Sequence, residues 1–267
     1  MNDTDFDLAR AELAGARRDA HAITAWPATR IPSDLAEAYR LQAAVASDLG
    51  ATSGWKVAAV TPAQRESLGV PVPIAAPLLA PWMHDARAAA PTLSGRGFIA
   101  PKLECEFAFE LGRDLPPRPA RPYSRDEVSA AVATLRIAVE IVDSRLPRGL
   151  GALAELADSF NNGAFIAGGA IVDWHALDLA RIEIVLARSH DGARDEVARG
   201  SGKAILDGDP FGTVALLANA PADPRRGLVA GAIITTGSCT GAPLLPGPGD
   251  YRAEFATLGS VEFRFTA

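Results

Sequence analysis

The chain has 267 residues, of which 48% are hydrophobic, and a formal net charge of -6 at pH 7. It is long enough to bury a substantial core, and no apolar run approaches the ~20 residues of a membrane span. The first residues are acidic, whereas a secretory signal begins with basic residues. The sequence contains no block of Lys or Arg that would attract nucleic acid or an anionic membrane. With only Cys105 and Cys239, a disulfide framework is not expected, so we predict a cytoplasmic protein.

Two helices are predicted at the start of the chain. Helical spacing of apolar residues favours one from Asp5 to about Ala22, and Ser33-Asp34 opens a second that ends at Gly50. We therefore predict an N-terminal helical region, residues 1–52, and a β-rich domain, residues 53–267.

A short strand, Gly54 to Val60, carries Lys56 among apolar neighbours. Lys56 is interpreted either as a side chain that snorkels to water at a strand edge or as a functional cation. Thr61 to Gln64 predicts a capping box for a short helix. Residues 70–100 hold many prolines and little periodicity, which indicates a long irregular segment able to cover a site.

The stretch from Pro101 to Glu110 alternates apolar and other residues, as a strand does. Glu104 and Glu106 therefore point to one face, and Cys105 points to the opposite face. Two carboxylates side by side need solvent, a proton or a cation between them. The simplest interpretation is a solvated face, but a second acidic segment favours a site.

That second segment is the apolar run from Ile137 to Asp143, which predicts a buried strand that contains Glu140. A capping box at Ser124 to Glu127 predicts a helix before it that reaches about Leu135. Three inward carboxylates without His or Cys ligands form an all-oxygen site. Such a site suits Mg²⁺, Mn²⁺ or Ca²⁺ and argues against zinc.

The remainder of the chain is predicted to be dominated by strands. A turn-forming cluster, Asp158 to Gly163, precedes an apolar strand to Ile171. The other predicted elements are a hairpin at Asp191-Gly192, a helix from Pro210 to Ala220, a strand from Gly231 to Gly237, and a final pair from Tyr251 to Phe265 that turns at Leu258-Gly259.

Five of these segments, taken in order, resemble one family. They are Gly54 to Val57, Pro101 to Glu106 with its Glu-x-Glu, Glu140 to Arg145, Asp158 to Asn162, and Gly249 through Val261. The chain resembles the 2-keto-4-pentenoate hydratases and 4-oxalocrotonate decarboxylases of the fumarylacetoacetate hydrolase superfamily. The resemblance covers roughly residues 30 to 265.

The resemblance implies an α+β fold, with a mixed β-sandwich or β-roll core and an N-terminal helical region. It implies Mg²⁺ or Mn²⁺ held by Glu104, Glu106 and Glu140, and a small 2-oxo or 2-hydroxydienoic acid as substrate. Residues 53–267 are then the catalytic domain, with Lys56, Asn161 and Ser238 as candidate catalytic residues. We also expect a homo-oligomer, and a pathway enzyme is a further candidate partner.

The chain departs from this family in two places. Leu79-Ala80-Pro81-Trp82 stands where an Asp is usual, and Trp55 stands where a polar or basic residue often precedes the lysine. An apolar wall of Trp55 and Trp82 would disfavour a second substrate carboxylate without a cation beside it. The first hypothesis is therefore a hydratase of a 2-hydroxy-2,4-dienoate in aromatic catabolism. A 2-oxo acid decarboxylase and a non-catalytic partner subunit are the alternatives.

Overall fold

A computed structural model of the protein describes residues 1–223 and 225–267. The helices are α1 (Asp3–Asp19), α2 (Leu35–Leu49), α3 (Pro62–Leu68), α4 (Arg125–Ser129), α5 (Ala152–Ala157) and α6 (Pro210–Asn219). The strands are β1 (Thr52–Ala58), β2 (Ile74–Leu79), β3 (Met83–Asp85), β4 (Thr92–Ser94), β5 (Lys102–Leu111), β6 (Val132–Val142), β7 (Asn162–Ile171), β8 (Glu183–His190), β9 (Ala193–Ser201), β10 (Ile233–Ser238), β11 (Gly249–Phe255) and β12 (Gly259–Thr266).

These strands form two sheets. The larger has seven strands in the order β2-β1-β10-β5-β6-β7-β3, and the smaller has five in the order β4-β12-β11-β8-β9. In the larger sheet β1 runs parallel to β10 and β3 parallel to β7, whereas the central pairs are antiparallel. The predicted α+β class with a mixed sheet is confirmed.

The alternation of residues along β5 separates an apolar face of the larger sheet from a face that carries carboxylates. Leu103, Cys105, Phe107 and Phe109 are fully buried in the main core. The ring of Phe107 packs edge-on against Phe255 of the smaller sheet, with centroids 5.7 Å apart. Burying a side chain of this size stabilises a fold by roughly 1.5–3 kcal/mol. The apolar face of β5 therefore faces the second sheet, and its carboxylates point the other way.

The local signals for turns and caps are confirmed. Thr61 and Gln64 form the capping box of α3, and the side chain of Asp34 accepts a hydrogen bond at the start of α2. Asp191 and Gly192 join β8 to β9 with φ angles of 47° and 78°. Positive φ at both central residues gives a tight turn whose twist matches the strands of a hairpin.

The irregular segment predicted for residues 70–100 is wrong, because it contains β2, β3 and β4. Every residue of β2 is buried, although Pro77 lies within it. A proline cannot donate to a strand ladder, and it is tolerated here because β2 is at the edge of the sheet. Pro77 is therefore compatible with a buried strand at the sheet edge.

The helix predicted to reach Leu135 is also wrong. Its capping box, Ser124 to Glu127, is present, but α4 ends at Ser129 and β6 begins at Val132. β-branched residues at 132, 134 and 137 prefer a pleated strand, and pairing along the whole of β5 outweighs a capping signal.

The two N-terminal helices pack through small and aliphatic side chains. The shared cluster joins α1 and α2 to the chain around α5, and its buried members are Ala9, Leu13, Ala14, Ala16, Ile23, Leu41, Val45, Leu146, Ala154 and Ala157. Arg10 of α1 also pairs with Asp48 of α2, with Nε 2.7 Å from Oδ2. This packing brings the last turn of α1 to the start of β7.

No helix in the described ranges is long and apolar enough to cross a membrane.

Arg145 and Asp158 form a buried ion pair that fixes the chain between β6 and β7. Arg145 Nε lies 2.9 Å from Asp158 Oδ1, and the side chains are 2% and 3% exposed. Arg145 also donates to the carbonyl oxygens of Asn162, at 2.8 Å, and Asp158, at 2.7 Å. The guanidinium thereby satisfies backbone groups as well as one carboxylate.

We expect Arg145→Met to lower the free energy of unfolding by about 3–5 kcal/mol, because it leaves the buried Asp158 carboxylate without its cation and removes the guanidinium donors to three buried carbonyl oxygens. The matched control is Arg125→Met, which removes an ion pair with Asp209 whose side chains are 53% and 41% exposed. This control should cost less than about 1 kcal/mol. Urea denaturation measures both, and equal losses would contradict the prediction.

Candidate metal centre

Glu104, Glu106 and Glu140 come together on one face of the larger sheet. Glu104 of β5 lies directly opposite Glu140 of β6, and Glu106 follows two residues along β5. One oxygen from each carboxylate can be chosen so that all three lie within 4.8 Å of one another. Glu106 and Glu140 are buried, whereas the Glu104 side chain is 19% exposed. The cluster therefore opens towards solvent at Glu104.

The charges of this cluster are only partly balanced. Burial raises the pKa of Glu106 well above its usual range, and repulsion from Glu140 and Glu104 adds to the rise. Burial also raises the pKa of Glu104, although attraction to Lys56 opposes it. Oε1 of Glu106 and Oε2 of Glu140 are buried without a hydrogen-bond partner among the described residues. These free oxygens and the excess negative charge fit a divalent cation with oxygen ligands.

Lys56 is the nearby counter-charge. Its Nζ lies 2.8 Å from Glu140 Oε1 and 3.9 Å from Glu104 Oε2, and it donates a hydrogen bond to the Phe160 carbonyl at 3.3 Å. The residue is only 5% exposed, so its interpretation as a snorkelling side chain is wrong. Burial lowers the pKa of Lys56, but attraction to Glu140 and Glu104 outweighs it and the net shift is upward. The ammonium therefore remains charged.

Asn162, at the start of β7, decides which oxygen of Glu140 is free. Its Nδ2 donates to Glu140 Oε1 at 3.0 Å. Lys56 occupies the same oxygen, so Oε2 is the one left for a cation. No feature of the sequence distinguished Asn162 from the rest of the Asp158 to Asn162 cluster.

A bulge in β10 places a backbone donor against Glu106. The register with β5 shifts between Thr235 and Ser238, and Gly237 has a φ of 101°. The Gly237 N–H donates to Glu106 Oε2 at 3.1 Å. Bulges commonly re-aim groups beside active sites, and a residue with a Cβ would be strained at this φ. The sequence pattern had marked Gly237 only as the end of the strand predicted from Gly231.

Ser238 lies opposite Glu106 in the strand register. Its hydroxyl donates to the Gly241 carbonyl at 2.6 Å and accepts from the Thr240 N–H at 3.2 Å. The backbone of Ser238, a predicted catalytic residue, therefore lies near the cluster. Its hydroxyl is already bonded within the turn from Ser238 to Gly241.

Asn161 lies in a backbone run of unusual conformation. Ser159, Phe160 and Asn161 have φ angles of 53°, 45° and 63°. This run turns the Phe160 carbonyl towards Lys56. Asn161 Oδ1 is buried, with no hydrogen-bond partner within residues 1–223 and 225–267. Asn161 thus presents a free acceptor in the segment that contacts Lys56.

The predicted apolar wall of Trp55 and Trp82 is wrong for Trp55. Trp55 is adjacent to Lys56 in β1, so it points to the opposite face, where it packs against the main core. Trp82 is partly buried, and the guanidinium of Arg17 lies 4.6 Å from the centre of its ring. Burial lowers the pKa of Arg17 to about 9, with the nearby Arg145 adding to the shift, so Arg17 is still charged at neutral pH. No sequence signal connected Arg17 with this region.

Comparison with known proteins gives related sequences. No family model matches the chain. The 4-oxalocrotonate decarboxylase of Pseudomonas putida is 32% identical over 170 residues, which cover 62% of this chain and 61% of that protein. The 2-keto-4-pentenoate hydratase of Paraburkholderia xenovorans is 31% identical over 167 residues, which cover 62% of this chain and 59% of that protein. The match thus spans about three fifths of each relative.

Solved structures show the fold. The structure of 4-oxalocrotonate decarboxylase from Pseudomonas putida G7, complexed with magnesium and adipate, has a TM-score of 0.84 and 24% identity, and covers 99% of this chain and 98% of that one. A putative fumarylacetoacetate hydrolase family protein from Yersinia pestis has a TM-score of 0.54 and 18% identity, with 79% and 91% covered. The predicted fold of the fumarylacetoacetate hydrolase type is confirmed.

We expect Glu106→Gln to weaken Mn²⁺ binding at least tenfold, about 1.4 kcal/mol, because the amide removes one of the three carboxylate charges. The control is Glu110→Gln on the same face of β5, where Glu110 pairs with Arg136 at 2.6 Å outside the cluster. Calorimetric titration with Mn²⁺ gives both dissociation constants. Unchanged binding by Glu106→Gln would rule out the site.

Proposed function

We propose that this chain, a homologue of the 2-keto-4-pentenoate hydratases and 4-oxalocrotonate decarboxylases with the fold of the fumarylacetoacetate hydrolase superfamily, is a divalent-metal-dependent lyase. Its proposed reaction is addition of water to a 2-hydroxy-2,4-dienoate, which gives a 4-hydroxy-2-oxo acid. The observation that carries this proposal is the cluster of Glu104, Glu106 and Glu140, of which the last two are buried, beside the charged Lys56. The named relatives support the substrate class.

Mg²⁺ or Mn²⁺ is the proposed cofactor, held by the three glutamates. When bound, the cation supplies a Lewis acid for the oxygens of a 2-oxo or 2-enol acid. The free Oε1 of Glu106 and Oε2 of Glu140 are the ligand atoms that the protein's own hydrogen bonds leave for it. Magnesium in the similar decarboxylase structure supports this choice.

Lys56 and Asn161 are the proposed catalytic residues. Glu140 and the Phe160 carbonyl fix Lys56 Nζ, so the ammonium would stabilise negative charge on the 2-enolate oxygen without reorganising. The free Oδ1 of Asn161 would accept a hydrogen bond from the water that is added and orient it. Ser238 is a weaker candidate, because its hydroxyl would have to leave its turn to reach a substrate.

Decarboxylation of a 2-oxo dioate is the second candidate. The proposed preference for a monoacid depended on an apolar wall with no cation, and Arg17 places a cation on the face of Trp82. The similar decarboxylase structure contains adipate, a six-carbon diacid. Both observations support decarboxylation of a diacid as the second candidate reaction. The third hypothesis is a partner subunit without activity.

The deciding experiment is an assay with Mg²⁺ that compares 2-hydroxypenta-2,4-dienoate with 4-oxalocrotonate. We expect loss of ultraviolet absorbance from the monoacid, because the proposed roles of Lys56 and Asn161 are to stabilise the enolate and to orient the water that is added. Release of CO₂ from the diacid, with no hydration of the monoacid, would contradict the hydratase and favour the second candidate. Inactivity on both would favour the partner subunit.

We expect Lys56→Met to lower turnover at least tenfold, about 1.4 kcal/mol in the barrier, because it removes the buried cation beside the substrate oxygens. The control is Lys203→Met, since Lys203 lies exposed after β9. Steady-state kinetics at saturating Mg²⁺ measures both variants. If Lys56→Met stayed within about twofold of the wild type, the catalytic role of Lys56 would be abandoned.

A further inference from the structure

Arg17 is a buried cation that belongs to the N-terminal helix α1 but contacts β7. It is 6% exposed, and its Nη2 donates to Asn162 Oδ1 and to the Gly163 carbonyl, each at 3.0 Å. Its position in the sequence is 145 residues from Asn162. The hydrophobic packing of α1 on α2 and the chain around α5 holds the helix in place for this contact.

The contact fixes the orientation of the Asn162 amide. Arg17 has only donors, so it must meet the oxygen of the amide. The nitrogen of the same amide then points the opposite way and donates to Glu140 Oε1 at 3.0 Å. With the amide turned over, two donors would face each other at Arg17 and two acceptors at Glu140. Arg17 therefore selects one of the two amide orientations.

The selected orientation determines how Glu140 is presented. Lys56 and Asn162 both occupy Oε1, and Oε2 remains buried with no hydrogen-bond partner in the described part of the chain. A carboxylate held at one oxygen by two donors cannot rotate freely, so its second oxygen keeps one direction. Groups that orient metal ligands in this way typically change metal affinity by about 10- to 100-fold when they are removed.

We propose that Arg17 is a positioning residue for the metal centre, which acts on Glu140 through the side-chain amide of Asn162. This inference rests on the proposed metal site. It gives helix α1 a role in cation binding, although the proposed ligands themselves lie on β5 and β6. Among the described residues, the hydrogen bonds of Arg17 go to Asn162 and Gly163 and not to a carboxylate of the cluster, so its proposed effect passes through one amide group.

The test is a double-mutant cycle on Mn²⁺ affinity, measured by calorimetric titration of the full chain. We expect Arg17→Met and Asn162→Ala each to weaken Mn²⁺ binding about 10-fold or more. The double variant should bind no more weakly than Asn162→Ala alone, because Arg17 has no effect once its amide partner is gone. Effects that multiply in the double variant would overturn the proposal.

The matched control is Arg18→Met, which removes the neighbouring, exposed arginine of α1 and should leave Mn²⁺ affinity unchanged. If Arg17 served only to hold α1 in place, Arg17→Met would lower the free energy of unfolding and leave the Mn²⁺ affinity of the folded protein unchanged. That result would overturn the proposal.

Arg17→Lys keeps the charge, but its shorter side chain does not carry the ammonium as far as Arg17 Nη2, which donates to both Asn162 Oδ1 and the Gly163 carbonyl. If Arg17→Met does not fold, this variant carries the same cycle, and we expect at least threefold weaker binding that disappears in the Asn162→Ala background. Wild-type affinity in Arg17→Lys would then overturn the proposal. Absence of Mn²⁺ binding by the wild type would overturn the proposed function as well, which distinguishes the two failures.

Discussion

Mutual repulsion among Glu104, Glu106 and Glu140 is the constraint that the surrounding side chains and backbone must balance. Two of the three carboxylates are buried, and burial of unpaired carboxylates is costly. Lys56 Nζ and Asn162 Nδ2 share Oε1 of Glu140, and a backbone N–H from β10 meets Oε2 of Glu106. These donors stabilise one oxygen of each buried carboxylate and leave the other free.

The order of strands explains how groups so distant in sequence meet. Neighbouring strands β1, β10, β5, β6 and β7 each supply one or more groups to the same face. The opposite face of β5 is apolar and packs on the smaller sheet. A polar site can therefore be built on the centre of a large sheet without interrupting the main core, since alternation separates the two faces residue by residue.

The parts of the site that could be predicted depend on local periodicity and residue type. Alternation placed Glu104 and Glu106 together, and an apolar run marked Glu140 as buried. Arg17 could not be predicted, because its partner is 145 residues away and an arginine in the last turn of a helix usually faces solvent. The expectation that Trp55 lines the site is wrong, because the alternation that points Lys56 towards the glutamates points the adjacent Trp55 to the opposite face.

The fold was predictable to a similar degree and for similar reasons. Caps and tight turns are set by a few adjacent residues, so α3 and the hairpin of β8 and β9 follow from their sequences. The ends of α4 and the existence of β2 depend on pairing with distant strands. A capping box starts a helix but does not decide its length, and Pro77 weakens a strand signal that edge position makes compatible with a sheet.

The left-handed run from Ser159 to Asn161 has a thermodynamic consequence. Asn tolerates this conformation, but Ser and Phe hold it at a cost of roughly 1–3 kcal/mol each. Glycine at 159 or 160 would relieve the local strain and also loosen the loop that aims the Phe160 carbonyl at Lys56. Stability and the proposed role of Lys56 are opposed at this loop, so variants selected for heat resistance alone should accumulate changes here and lose the fixed position of the lysine.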